Sequence, residues 1–391
     1  MPLRTASATA SRSRSNGLIV SDQIAVLLPF PERFSPRNAG AISLCVRDAT
    51  RASRYRNRIA IYGKPVEELF AGFDYRPIQP RGRWLLGRNR GLAEGFWHAI
   101  RNDPPAMVEV HNRPRMFFHL AMRSSALPLA LHLHNDPTKM DALRSPAQRM
   151  ALARRAVAVY CVSDYIRARF LDGLDIRPDN VHVLHNGIER PWPVLPEKEK
   201  LIVFAGRIIP EKGAREFVEA VAAVLPRHPG WQAVMVGAQR PGQAGPVSEY
   251  EKTVYERFSG IGPAARFLGY QPHEVVMDLY ARAAIAILPS IWDDPFPRAA
   301  VEALAAGCAL ITSERGGLAE MCRGRSITLA DPNGDTIARE LDRLLSDESA
   351  LTELQRRAWE DFPFGIGAQT ARQDGLRDAL LQGPTAPALT A

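Results

Sequence analysis

Two carboxylates, Asp294 and Glu302, stand eight residues apart in PSIWDDPFPRAAVEALAAGCALI (289–311). Two cations, Arg207 and Lys212, stand five apart in LIVFAGRIIPEKGAREFVEAVAAVL (201–225), across a turn marked by Pro210. The carboxylates, one in a loop and one near a helix start, can both face a ligand in a crevice. The cations, at the end of a strand and beside a helix start, suit a diphosphate: backbone N–H groups and the helix dipole favour negative charge, and the cations neutralise the remainder. No Asp-x-Asp pattern that would hold a metal is present.

The elements that must position these groups are legible around them. AIAIL (284–288) is an apolar run of strand type, RAAVEALAA (298–306) is rich in helix formers and stops at Gly307, and CALIT (308–312) begins another strand. Strand, polar loop, helix, strand is the unit of a parallel sheet, whose ligand crevice lies at the carboxyl ends of its strands. The same alternation runs through QIAVLLPF (23–30), RIAIYG (58–63), MVEVHN (107–112), LALHLHN (129–135), AVAVYCVS (156–163), VHVLHNG (181–187), AVMVGA (233–238) and ARFLGY (265–270), with a helix at 273–283 and a helical stretch at about 350–381. At 391 residues two domains are expected. The reading is α/β, two Rossmann-like doubly wound domains facing across a cleft: a tail at 1–19, a first domain at 20–190, a second at 191–365, a helix at 366–382 returning to the first, and a loose tail at 383–391. The Pro-rich segment RPWPVLPEKEK (190–200) reads as the linker.

Read together, the two motifs resemble those of the GT-B retaining glycosyltransferases, family 4 in particular. Asp294 and Glu302 match the Glu-x7-Glu motif, with Asp294 where that family usually has Glu and Pro297 where it usually has Gly. Gly206-Arg207 followed by Glu211-Lys212-Gly213 matches the family pattern residue for residue. The resemblance implies that Asp294 touches donor-sugar hydroxyls, that Glu302 holds the ribose, and that Arg207 and Lys212 stabilise charge on the leaving diphosphate. It carries donor contact onto Gly206, Phe296, Pro297 and Arg298, and onto Gly316, Gly317 and Glu320, where two glycines would let N–H groups approach sugar or phosphate oxygens. It assigns a catalytic histidine at the end of a first-domain strand, His134 first and His111 second. Asn38, Gly40 and His111 would meet the acceptor, and Asn186-Gly187 would turn the chain at the domain boundary.

The activity so implied is transfer of a sugar from a nucleotide diphosphate sugar, a UDP-sugar first and GDP-mannose next, to a hydroxyl of a glycan or lipid-linked acceptor of a bacterial envelope polysaccharide or lipopolysaccharide, with retention. No cofactor or metal is implied beyond the donor itself. The alternative is a catalytically inactive GT-B protein that binds a nucleotide sugar or a partner enzyme. A dinucleotide enzyme is disfavoured, because QIAVLLPFPERF lacks Gly-x-Gly-x-x-Gly after the first strand.

Charge is unevenly placed: 29 Lys plus Arg stand against 16 Asp plus Glu up to residue 190, and 21 against 26 beyond it. The basic first half, with Arg interleaved with Tyr, Trp and Leu at 47–58 and 76–91, suits peripheral contact with an anionic membrane. No nucleic-acid-binding signature accompanies it. Four scattered cysteines, no apolar signal segment and no run of 18 apolar residues fit a cytoplasmic protein without a membrane-spanning helix.

Overall fold

A computed structural model of the chain describes residues 21–240 and 242–382; the two expected tails, 1–19 and 383–391, lie outside the described residues. The first sheet is built from β1 (Ser21–Leu27), β2 (Ile59–Gly63), β3 (Asp74–Pro77), β4 (Pro105–His111), β5 (Leu129–Leu133), β6 (Ala158–Cys161) and β7 (Val181–Val183) in the order 3-2-1-4-5-6-7. The second holds β8 (Glu199–Ala205), β9 (Gln232–Val236), β10 (Ala265–Phe267), β11 (Ala283–Leu288), β12 (Ala309–Ser313) and β13 (Ser326–Leu329) in the order 10-9-8-11-12-13. Neighbouring strands pair in parallel throughout. Two Rossmann-like α/β units are thereby established.

Burial explains which strands announce themselves. β11 and β5 are buried at every position, as strands covered by helices on both faces must be, and they read as continuous apolar runs. The edge strands β3, with sequence DYRP, and β13, with SITL, are short and partly exposed; they offer no apolar run and went unread in the sequence. In each sheet the chain steps outward on one side and then returns to the other. The order therefore reverses between β1 and β4, and again between β8 and β11. Such switch points are where loops diverge and leave a crevice.

The chain passes between the two sheets twice, and the passes lie side by side: Ile188 N–H donates to Phe364 O at 2.9 Å, and Ile366 N–H donates to Ile188 O at 2.9 Å. The helical stretch read at about 350–381 is in fact two helices, Glu348–Glu360 and Ile366–Leu381. The intervening DFPFG contains Pro363, which cannot donate the backbone bond a continuous helix needs. The second of these helices packs on the first sheet. Arg377 Nε and Nη2 each donate at 2.8 Å to the two oxygens of Glu109 on β4, while Arg377 Nη1 reaches Asp374 Oδ1 at 2.9 Å and Ser53 Oγ at 3.3 Å.

Arg377 and Glu109 are both almost wholly buried. Burial would raise the Glu109 carboxyl pKa, but Arg377 and His132 outweigh it and hold the group well below its usual range. Breaking a buried pair leaves an uncompensated charge, whereas removing both charges does not. Arg377→Met is therefore expected to destabilise the first domain by about 3–5 kcal/mol in urea unfolding, and adding Glu109→Gln to it recovers a large part of that loss.

Candidate functional site

At the β8–β11 switch point a cavity of about 220 Å³ opens between the two sheets. Its second-domain wall is formed by Gly206 and Arg207 after β8, Gly237 after β9, Tyr270 and His273, and by Arg298 and Glu302 on the helix Arg298–Ala305. Ala39, Ala41 and Leu44 of the first domain close the opposite side. Arg298 and Glu302 are one helical turn apart, so both side chains lie on the same face. Glu302 Oε1 accepts from Arg298 Nε at 2.6 Å and bonds His273 Nε2 at 2.7 Å. Oε2 has no protein hydrogen bond among the described residues. Arg298 Nη2 then crosses the seam to Asp48 Oδ2, 2.6 Å away on the helix Ala41–Ala52. Burial alone would push the Glu302 carboxyl up; His273 and Arg298 reverse this and pull it down to about 2.

Asp294 does not line that cavity. It is buried, salt-bridged to Lys212 and bonded by Ser290 Oγ at 3.3 Å. The pair exists because two loops press together. Gly213 sits at φ +71° after the turn Pro210–Lys212, and a Cβ there would collide with the carbonyl oxygen of Pro289. Only glycine lets the 207–213 loop reach the loop after β11. Ile291 N–H donates to Glu211 O at 3.1 Å across the same contact. Lys212 Nζ also lies 5.7 Å from the Trp292 ring centroid. Arg207 is exposed and has no carboxylate partner among the described residues.

Several expected donor and acceptor contacts are placed elsewhere. Gly317 N–H donates to Asp294 O at 2.7 Å, and both Gly316 and Gly317 lie against the backbone of residues 293–295, where any Cβ would clash. These glycines buttress the Asp294 loop, and the Gly317 N–H is engaged there rather than offered to a ligand. Glu320 reaches the first domain, accepting from Asp164 N at 3.0 Å and Tyr165 N at 3.3 Å and bonding His185 Nε2 at 3.2 Å. Phe296 stacks on His185 and packs edge-on against Phe364, so it belongs to the double crossing. Pro297 starts the helix, its carbonyl accepting from Ala300 N at 3.1 Å. Asn38 lies on a separate surface depression beside Arg37 and Glu68. Gly40 precedes the helix Ala41–Ala52, against Glu32, whose carboxylate caps Ser43 N at 3.0 Å. From that loop it is Ala39 that meets the cavity.

The strand-end histidines come together. His111 Nδ1 and His134 Nε2 are 3.0 Å apart, and the His111 and His132 rings stack at 4.3 Å. Burial, then the neighbouring His132 and Arg113, lower His134 to about 3, and burial with His132 and His134 lowers His111 well below the usual range. Both are neutral imidazoles at pH 7. Ligand-type atoms of Glu109, His111 and His132 lie within 4.8 Å of one another, but both Glu109 oxygens are already taken by Arg377. The sequence reading missed His273 and Asp48. His273 follows QP at a helix start, yet nothing local ties it to Glu302, 29 positions on.

The family description "Glycosyl transferases group 1" matches residues 186–361, and "Glycosyltransferase Family 4" matches residues 49–190. The chain belongs to the family 4-type glycosyltransferases of GT-B fold. Among curated members of the family, a lipopolysaccharide 1,2-N-acetylglucosaminetransferase of Salmonella typhimurium is 26% identical over 268 residues, 64% of this chain and 66% of that protein. The chain thus spans just under two thirds of that relative. A lipopolysaccharide core biosynthesis mannosyltransferase of Rhizobium meliloti is 29% identical over 295 residues, 75% of this chain and 79% of that protein. Among solved glycosyltransferase folds, the Anabaena HepE protein in complex with UDP and glucose superposes with a TM-score of 0.72 at 17% identity, covering 91% of this chain and 99% of that one. Among the described residues no helix is long and apolar enough to cross a membrane.

Glu302 has a lower pKa in the folded chain than its ordinary value of 4.5. A depressed carboxyl stabilises the fold fully above the unfolded value, and that stabilisation is lost as pH falls through the folded value. Glu302→Gln is accordingly expected to flatten the acid limb of the stability–pH curve between about pH 4.5 and 2. Thermal unfolding of both proteins across that range measures it.

Proposed function

We propose that the chain transfers a sugar from a nucleotide diphosphate sugar, UDP-linked first and GDP-mannose next, to a hydroxyl of a glycan or glycolipid acceptor of envelope polysaccharide or lipopolysaccharide, with retention of configuration. The observation that carries this reading is Glu302 on the wall of a cavity at the β8–β11 switch point, held ionised by His273 and Arg298 with Oε2 left over. An ionised carboxylate so fixed accepts two adjacent ribose hydroxyls. Gly206 lets a nucleotide approach the backbone on the cavity wall, and Gly237, where a Cβ would collide with Gly206 O, lets the two loops meet there. Arg207 is free to meet the diphosphate.

In the chemical step the anomeric bond to the diphosphate breaks and its electron pair passes to the diphosphate oxygens. Arg207 and Lys212 stabilise that charge. Asp294, held by Lys212, orients the donor sugar through its hydroxyls; its shorter side chain stands back by roughly 1.5 Å compared with a glutamate. Neutral His134, paired with His111, supplies a polar contact on the first-domain side. The leaving diphosphate takes the acceptor proton, so no metal is assigned a task. The names of the Salmonella and Rhizobium relatives support an acceptor in lipopolysaccharide, and the basic first domain supports work at the cytoplasmic face of a membrane.

Calorimetric titration with UDP-, GDP- and ADP-sugars tests the reading. One base is expected to bind, and Glu302→Gln and Lys212→Ala each to weaken it at least tenfold; absence of binding by all three overturns the transferase assignment. Proton NMR of the product decides retention, since an inverted anomeric coupling would contradict it.

A further inference from the structure

A second cavity, of about 660 Å³, lies between the domains. Its first-domain walls come from the helix Arg83–Ile100 and from the loops after β4 and β5; Arg207 and Trp292 close it from the second domain. Gly87, at φ +75° and ψ 171°, breaks that helix and separates the turn before it from Arg88 and Arg90. Six cations line this one cavity: Arg88, Arg90, Arg113, Arg115, Lys139 and Arg207.

The acids beside them do not neutralise them. Asp136 accepts from Thr138 N at 2.9 Å and from Arg169 at 3.2 Å, and Asp141 is shared between Arg115 at 3.2 Å and Arg144 at 2.9 Å. Among the described residues the other five cations have no carboxylate partner. Arg113 is the most exacting of them. It is half-buried and gives one bond to Asn112 O at 2.7 Å; Glu32 lies near enough to favour its charge but forms no salt bridge with it, and Glu32 Oε2 accepts from Ser43 N and Oγ at 3.0 and 2.8 Å. A partly buried guanidinium with no salt-bridged partner is costly, and its planar fork of donors matches phosphate or carboxylate. The cavity is also next to the chemistry: Trp292 is within 5.7 Å of Lys212 Nζ, and Lys212 holds Asp294.

We infer that this cavity is the acceptor subsite and that the acceptor it takes is an anionic glycan, with a phosphate or carboxylate on or beside the sugar that offers the hydroxyl. The inference rests on the transferase reading above and narrows its substrate class. Arg88, Arg113 and Lys139 hold the anion from the first domain. Arg207 reaches from the second, so the acceptor charge and the leaving diphosphate share one cation. Trp292 gives the sugar ring an aromatic wall.

Calorimetry on the full chain saturated with UDP tests it, with glucose 6-phosphate, glucuronate and methyl glucoside as probes. At least one charged sugar is expected to bind tenfold or more tighter than methyl glucoside, and which one does so separates phosphate from carboxylate. The triple variant Arg88→Gln, Arg113→Gln, Lys139→Gln is expected to weaken that binding at least tenfold while UDP affinity stays within twofold, which also certifies its fold. Equal binding of methyl glucoside, undiminished binding of the charged sugars by the variant, or tighter binding of an oligothymidylate at the same cations would each overturn the inference. Failure of UDP itself to bind would instead strike the transferase reading beneath it.

Discussion

Arg298 is the interaction on which the arrangement turns. It is almost fully buried, and it survives there because two carboxylates from different domains, Glu302 on its own helix and Asp48 across the seam, each lie 2.6 Å away. Burial disfavours a guanidinium charge, yet these acids more than reverse that effect. The pairing does three things at once. It keeps Glu302 ionised, fixes the carboxylate on the cavity wall, and ties the first-domain helix to the floor of the site. A ligand resting on Glu302 is therefore in mechanical contact with both domains through one side chain.

How much of this was legible in the sequence depended on distance along the chain. The strand–loop–helix units carrying Arg207 and Lys212, and Asp294 and Glu302, could be read because their signals are local: an apolar run, a turn, then helix formers. The division of labour between the two acids could not. Eight residues apart, they look like one pair, but the helix carries Glu302 into the cavity while the loop folds Asp294 back onto Lys212. What decides this is the close approach of Gly213 to the Pro289 carbonyl, 76 positions away, which a Cβ would block. Gly316 and Gly317 show the same limit: a glycine pair permits close approach, and it is the fold that brings the protein's own backbone at 293–295 against them.

The buried polar groups of the first domain follow a similar logic. His111 and His132 stand directly opposite each other on β4 and β5 because their parallel register places them so, and His134 follows just past the end of β5. That proximity, with burial, keeps His111 and His134 uncharged. Glu109, on the same strand, would be intolerable without Arg377, which arrives from a helix 268 positions later. The last helix is thus part of the first domain's electrostatics as well as its packing, and its hydrogen-bonded return beside Ile188 places both crossings of the chain at one point.

The contrast between the Arg298 seam and the cavity of unpaired cations has a consequence for ionic strength. Exposed charges are screened over about 10 Å at 0.1 M salt and about 3 Å at 1 M, while buried pairs are screened much less. The seam is buried and its charges are matched; the basic cavity is open and unmatched. Dissolved salt therefore acts on the two unequally, loosening whatever the cavity attracts while leaving the domains latched. The environment can set how strongly an anionic partner is drawn in without disturbing the geometry it is drawn into.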